Sequence, residues 1–204
     1  MNDYIIRPEK KEEEFYVENM TREAFWNVYR PGCEEHYVLH QIRKDPCFIP
    51  ELNLVVEYKG HIIAHVVYVN CRIIRDNGEK YPILSFGPIC VQPGCRFRGV
   101  GSYLMNYSLN KAKEMGFKAC TVLGNPKFYS HFGFECSEKY GIYFEDMEDF
   151  FPHFQILELE KGSLNGIRGR FYEPKVYYQP KEAIEEFDRL FVPKEKLKLP
   201  GQLV

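Results

Sequence analysis

The sequence predicts an α/β chain of the α+β kind: a mixed, mostly antiparallel twisted sheet with one splayed parallel strand pair, flanked by helices. Three observations carry that expectation. Residues 52–58 and 61–74, dominated by Val, Ile and Tyr, are joined by Lys59-Gly60, which predicts a β-hairpin with Gly60 at a positive-φ position. Residues 83–91, 100–115 and 117–123 then read as strand, helix and strand, a crossover that makes its two strands parallel neighbours. Within the first of these strands Gly87-Pro88 interrupts an apolar run, and a residue without an N–H beside a glycine predicts a bulge or splay.

The other elements follow in chain order. Ile5 and Ile6 open with a short strand. Residues 9–26 form a helix in which Tyr16, Met20 and Ala24 recur at near-helical spacing, and Pro31-Gly32 ends it. A second helix over 34–44 places Glu35, Val38, Leu39 and Ile42 near one face before Pro46 stops it. Asp76-Asn77-Gly78 marks a turn. The crossover helix sets Leu104, Ser108, Ala112 and Met115 on one face, with Gly116 as its C-terminal cap. A short helix at 126–131, strands at 154–159 and 167–172 around a turn at 162–166, and an amphipathic helix at 180–191 facing inward through Ile184, Phe187 and Phe191 complete the chain. With no repeat, low-complexity tract or linker, one domain spanning 1–204 is expected, its core in 1–135 and its C-terminal strands and helix in 136–204.

Composition narrows the function. The 204 residues are 45% apolar and 27% charged, enough to bury a core without disulfides or metals. A formal charge of -2 with interleaved signs gives no footprint for nucleic acid, and Glu12, Glu13 and Glu14 read as a solvated helix face. No apolar run approaches the roughly 20 residues a bilayer requires, so no membrane partner and a cytoplasmic location are expected. Seven cysteines without a Cys-x-x-Cys pair argue against a zinc knuckle or a disulfide framework; Cys90 and Cys120 read as buried hydrophobes, and Cys95 as a loop residue. His36, His40 and His61 show no ligand pattern, so no metal site is expected.

The informative stretch is Val91-Gln92-Pro93-Gly94-Cys95-Arg96-Phe97-Arg98-Gly99-Val100-Gly101-Ser102, leaving a strand and entering a helix. Gly99 and Gly101 let the backbone turn tightly and leave amides uncovered at a helix N-terminus, where the dipole favours an anion. A diphosphate fits there, and Arg96 and Arg98 offer charge-assisted hydrogen bonds. An ordinary tight turn into a helix is the competing reading. The loop lacks the Gly-Lys-Ser/Thr of a P-loop and sits behind a hairpin, too late in the chain for a Rossmann opening. An interrupted strand beside a parallel partner also leaves amides that an amide-bearing chain can pair with in β fashion.

Downstream lies Leu123-Gly124-Asn125-Pro126-Lys127-Phe128-Tyr129-Ser130-His131-Phe132-Gly133-Phe134. Together with the Val91-x-Pro93 strand exit and Arg96-x-x-Gly99-x-Gly101, it resembles the GNAT superfamily of N-acetyltransferases. The resemblance is to the branch typified by Leu-Gly-Asp/Asn-Pro-x-Tyr-Tyr-x-Arg-Phe-Gly-Phe, and it extends to Gly60-His61-x-x-Ala64-His65 and to 154–164, most of the chain. It implies a GNAT-like fold and acetyl transfer from acetyl-CoA to a primary amine of a small molecule or peptide, by direct attack in a ternary complex. Ile89, Cys90 and Val91 would meet the pantetheine arm, Arg96, Phe97, Arg98, Gly99, Val100, Gly101 and Ser102 would cradle the pyrophosphate, and Asn125 would reach the pantetheine. Tyr129 matches the family tyrosine that protonates the departing thiolate, the two reference pKa values being about 10 and 8.5. The chain departs from the pattern at Arg96, where glutamine is common, at Phe128 in place of a tyrosine, and at His131 in place of Arg or Lys.

For the base that takes the amine's proton the residues offer Glu57 and His65, both on the hairpin, although a lone histidine on an apolar strand is more often a core residue. Two further readings stand beside the enzyme: an acyl-CoA sensor that binds without turnover, and a nucleotide-binding protein. The sequence also admits a homodimer.

Overall fold

The computed structural model describes residues 3–96 and 98–202. The strands are β1 (Tyr4–Pro8), β2 (Leu54–Tyr58), β3 (His61–Arg75), β4 (Lys80–Val91), β5 (Ala119–Leu123), β6 (Glu135–Cys136), β7 (Ile142–Phe144), β8 (Phe154–Glu158) and β9 (Gly169–Tyr172). The α-helices are α1 (Glu14–Phe25), α2 (Glu35–Ile42), α3 (Val100–Glu114), α4 (Pro126–Tyr129) and α5 (Lys181–Asp188). Strands pair in the order β1-β2-β3-β4-β5-β8-β6, with β9 on β3 and β7 on β9. The β1–β2, β2–β3, β3–β9, β5–β8 and β6–β8 ladders are antiparallel and β4–β5 is parallel, as the sequence predicts. A second parallel pair, β7 with β9, lies outside that expectation.

The chain divides into two compact units, and β3, β4 and α3 each contribute to both. The first holds β1, β2, the first half of β3, the end of β4 from Pro88, the start of α3, and α1, α2 and α5. Lys59 (φ 50°) and Gly60 (φ 79°) both take left-handed geometry, the turn that matches strand twist in a two-residue hairpin. The register shifts between Val56, which pairs with Ala64, and Glu57, which pairs with Ile62, so a bulge sits at Ile63 of β3. Helix α1 buries Val17, Met20, Thr21 and Ala24, an i, i+3, i+4, i+7 stripe that includes the predicted Met20 and Ala24; Tyr16 is exposed, and Val17 takes the inward place.

Buried charge ties the helices of this unit together. Arg22, whose side chain is 1% exposed, donates from Nε to Asp188 Oδ1 of α5 at 2.6 Å and stacks 4.1 Å over Trp26. His36 lies 3.3 Å from the same carboxylate and against the rings of Phe187 and Phe191. Arg43 bridges Glu9 and Glu18 at 2.6 Å each, with all three side chains buried. Burial, partly offset by Asp188, pushes the His36 pKa down to about 4. On unfolding the ring regains a value near 6.5 and takes up a proton, so its contribution to stability is complete above pH 6.5 and is lost as pH falls toward 4. The unfolding free energy of the wild type relative to His36→Gln should therefore shrink by about 2 kcal/mol between pH 7 and pH 5 in urea titrations. A constant difference would refute this.

The second unit comprises Tyr68–Gly87 and Met105–Pro174. Its core joins Ile73, Ile83, Ala119, Ile142, Phe154, Ile156, Leu164 and Phe171. Gly169, at φ 147°, brings β9 so close to β3 that a Cβ would lie 2.0 Å from the Ile74 carbonyl oxygen. Gly116 (φ 90°) closes α3 as predicted, although Met115 is exposed rather than on the buried face.

Candidate active site

The loop after β4 belongs to the first unit. Gln92 N–H donates to Ile63 O at 2.8 Å, the last backbone link to β3, and a single 3-10 turn over Pro93–Cys95 follows. Gly99 takes φ 75°, a conformation L side chains rarely adopt, and its carbonyl accepts from Tyr103 N–H at 2.9 Å, starting α3. Among the described residues, the amides of Arg98, Gly99, Val100, Gly101 and Ser102 meet no protein acceptor. They sit at the positive end of a 15-residue helix, which is the electrostatic condition for holding an anion. A Cβ on Gly101 would lie 3.4 Å from Val91 Cγ2, ordinary contact, so what its hydrogen leaves open is the approach from outside. Phe97 lies outside the described residues.

Arg96 differs from expectation. Its Nη2 donates to Ala24 O at 2.6 Å, a carbonyl in the last turn of α1 that has no partner within the helix. One face of the guanidinium thus fixes the loop to α1, while Arg98 is exposed. Ile89 is half-buried, and Cys90 is buried, its Sγ 3.5 Å from Thr21 Oγ1; burial raises the thiol to about 11, so it stays protonated and is no nucleophile. Beside the loop, Tyr16, Asn19, Met20 and Glu23 of α1 and Gln92, Pro93 and Gly94 line a cavity of about 320 Å³. Its one carboxylate, Glu23, accepts from Lys194 Nζ at 2.8 Å.

The two predicted base candidates are also in this unit, and both have partners. Glu57 accepts from Arg7 Nε at 3.0 Å and Nη2 at 2.8 Å, and Arg7 also holds Glu13. His65 is fully buried, with Nε2 2.7 Å from Asn53 Oδ1. Asn53 Nδ2 donates to Glu9 Oε2 at 2.5 Å, which leaves Oδ1 as acceptor and assigns the His65 proton to Nε2. Desolvation, reinforced by Arg43, holds the ring's pKa well below its usual value. His65 is therefore a neutral histidine of the core at physiological pH.

The second unit holds the other predicted residues. The β4–β5 ladder pairs Leu84 with Cys120 and Ser85 with Thr121, and Thr121 Oγ1 adds a bond to Leu84 O at 3.1 Å. It stops there, whereas β5 pairs with β8 over five residues. Immediately beyond, Gly87 takes φ 149° and Pro88 supplies no N–H, which is the interruption the sequence predicts. After β5, Asn125 caps α4, its Oδ1 accepting from Lys127 N–H at 3.0 Å, with Pro126 in the first helical position. The cap engages the side chain that the resemblance assigns to the pantetheine.

Tyr129 ends α4 at 9% exposure. Its ring meets Phe86 at 5.8 Å, Phe128 at 5.0 Å and Phe134 at 5.8 Å, all edge-on. Phe86 in turn packs on Tyr68, whose hydroxyl is 2.8 Å from Ser108 Oγ. What sequence reasoning missed is the floor beneath Tyr129, the backbone of Gly124. A glycine directly before an Asn-Pro helix start, five residues ahead of the tyrosine, was the available signal. Among the described residues no group of three His, Cys, Asp or Glu is placed to hold a metal ion, and no helix is long and apolar enough to cross a membrane.

Known proteins fit this arrangement. The uncharacterized N-acetyltransferase YhbS of Escherichia coli (strain K12) is 27% identical over 139 residues, 66% of this chain and 78% of YhbS. The crystal structure of YhbS in complex with CoA superposes with a TM-score of 0.76 at 23% identity, covering 87% of this chain and 93% of that one. A GNAT family acetyltransferase from Brucella melitensis, in complex with acetyl-CoA, gives 0.70 at 20% identity, covering 87% and 99%. The profile of the acetyltransferase (GNAT) domain matches residues 5–137, well over half of the sequence, and with the fold and the glycine loop in place this chain belongs to the GNAT acetyltransferase family.

Proposed function

We propose that this acyltransferase moves the acetyl group of acetyl-CoA to a primary amine of a small molecule or peptide, by direct attack within a ternary complex. The observation that carries the reading is the row of amides from Arg98 to Ser102 at the start of α3, with no protein acceptor among the described residues. Those amides suit the pyrophosphate of CoA, with Arg98 adding charge. Ile89, Cys90 and Val91 offer main-chain groups to the pantetheine amides. CoA supplies an activated thioester; the amine nitrogen forms the new bond to the acetyl carbon as the C–S bond breaks, and Tyr129 gives its proton to the departing thiolate sulfur. The amine's proton leaves to Glu57, which reaches solvent, whereas His65 is buried in the core.

Incubation with acetyl-CoA and a panel of amines, followed by assay of released thiol, tests the proposal. Amine-dependent release supports it, and tight CoA binding with no turnover on any amine contradicts it.

The cavity beside the loop, with Glu23 in its wall, suits the charged form of an amine acceptor. Its carboxylate already holds the ammonium of Lys194, so an acceptor displaces that side chain. Glu23→Gln should raise the KM for the amine about fivefold, the worth of one exposed ion pair, with kcat and CoA affinity unchanged. Steady-state kinetics with the best amine of the panel checks it, and an unaltered KM removes Glu23 from acceptor binding.

A further inference from the structure

Gly124 lies where β5 gives way to α4, and its backbone is fixed on both sides. Its N–H donates to His153 O at 2.9 Å, and its carbonyl accepts from Gln155 Nε2 at 3.0 Å. The glycine is not there for its φ, which is not in the left-handed region. It is there for space: a Cβ built on Gly124 would fall 2.1 Å from Cε2, 2.8 Å from Cδ2 and 3.2 Å from Cζ of Tyr129. No real carbon approaches a ring that closely, so any side chain at 124 displaces the ring.

We infer that Gly124 is a positioning residue for the reaction: its bare Cα seats the Tyr129 ring, and the seat sets where the phenolic hydroxyl points. The inference rests on the reading of Tyr129 as the acid. The direction of the displacement follows from the packing. Gly124 cannot retreat, because its amide and carbonyl are both tied to the β8 side. The ring is enclosed by Phe86, Phe128 and Phe134. Of these Phe128 is 42% exposed and gives way most easily, so an added methyl swings Tyr129 and Phe128 outward together. A shift of about 1 Å in a proton donor lowers the rate by up to two orders of magnitude while substrate binding elsewhere is untouched.

The test is Gly124→Ala, compared with Tyr129→Phe and with the double variant. Gly124→Ala is expected to lower kcat at least tenfold, with the Kd for CoA and the KM for acetyl-CoA within twofold of wild type. The double variant should turn over no more slowly than Tyr129→Phe alone, because a residue acting only through the hydroxyl has nothing left to move. Should Gly124→Ala keep full kcat while Tyr129→Phe loses it, the positioning role is overturned and the acid survives. Should Tyr129→Phe keep full kcat, the acid falls and the inference with it. If Gly124→Ala does not fold, thermal unfolding of Gly124→Ala/Tyr129→Ala decides. A Tm equal to that of Tyr129→Ala supports the steric contact with the ring, and a double variant that also fails to fold refutes it.

Discussion

Replacing Gly99 with valine should abolish CoA binding, weakening the Kd at least a hundredfold in calorimetric titration. Gly99 stands at φ 75° with open space around the position of its missing Cβ, so the obstacle is the backbone conformation and not a clash. A β-branched residue there is strained by roughly 1–3 kcal/mol, and the loop relieves that strain by leaving the left-handed region. Rotating this one residue redirects the N–H groups that follow it. Each charge-assisted bond to a phosphate is worth about 1.5–3 kcal/mol, so losing two accounts for the expected effect. Gly101→Ala is the instructive comparison. Its methyl meets Val91 at an ordinary distance, so the protein folds unchanged, and any loss of affinity reports ligand crowding alone. Wild-type affinity in Gly99→Val would mean that the amides after Gly99 do not hold the cofactor.

Much of this was legible because the signals are local. Lys59-Gly60 demands a hairpin turn, Gly116 a helix cap, and Gly87-Pro88 a break in the ladder, and each does what its chemistry dictates. The crossover from β4 through α3 to β5 leaves its strands no arrangement but parallel. The strands of two and three residues, β6 and β7, were not legible. Residues 142–144 form β7 because Ile142 and Phe144 lie opposite Gly169 and Phe171 of β9. That partner lies more than 20 residues away, and no periodicity in three residues announces it. The site divides in the same way. The loop amides follow from the spacing of Gly99 and Gly101, whereas the use of Arg96 depends on Ala24, 72 residues distant. His65 shows the limit of residue type as a guide, since its environment of Asn53, Glu9 and Arg43 turns a candidate base into a neutral core side chain.

Tyr129→Phe should leave the protein folded and CoA affinity within about twofold of wild type while kcat falls about a hundredfold, the lower end of what a positioned proton donor contributes. The expectation follows from what the substitution changes. The ring keeps its contacts with Phe86, Phe128, Phe134 and the Gly124 backbone, because all of them meet carbon. Only the hydroxyl is lost. The departing thiolate must then take its proton from water, and the transition state loses a stabilisation that the bound ground state never had, so kcat and kcat/KM fall together. Kinetics with saturating amine, together with a CoA titration on the same sample, separates this outcome from its rivals. A rise in KM at constant kcat would make the hydroxyl a binding group. Unchanged kinetics would make Tyr129 a packing aromatic and leave the thiolate to be protonated by solvent, and the enzyme would then depend on the placement of its two substrates by the loop and the amine cavity.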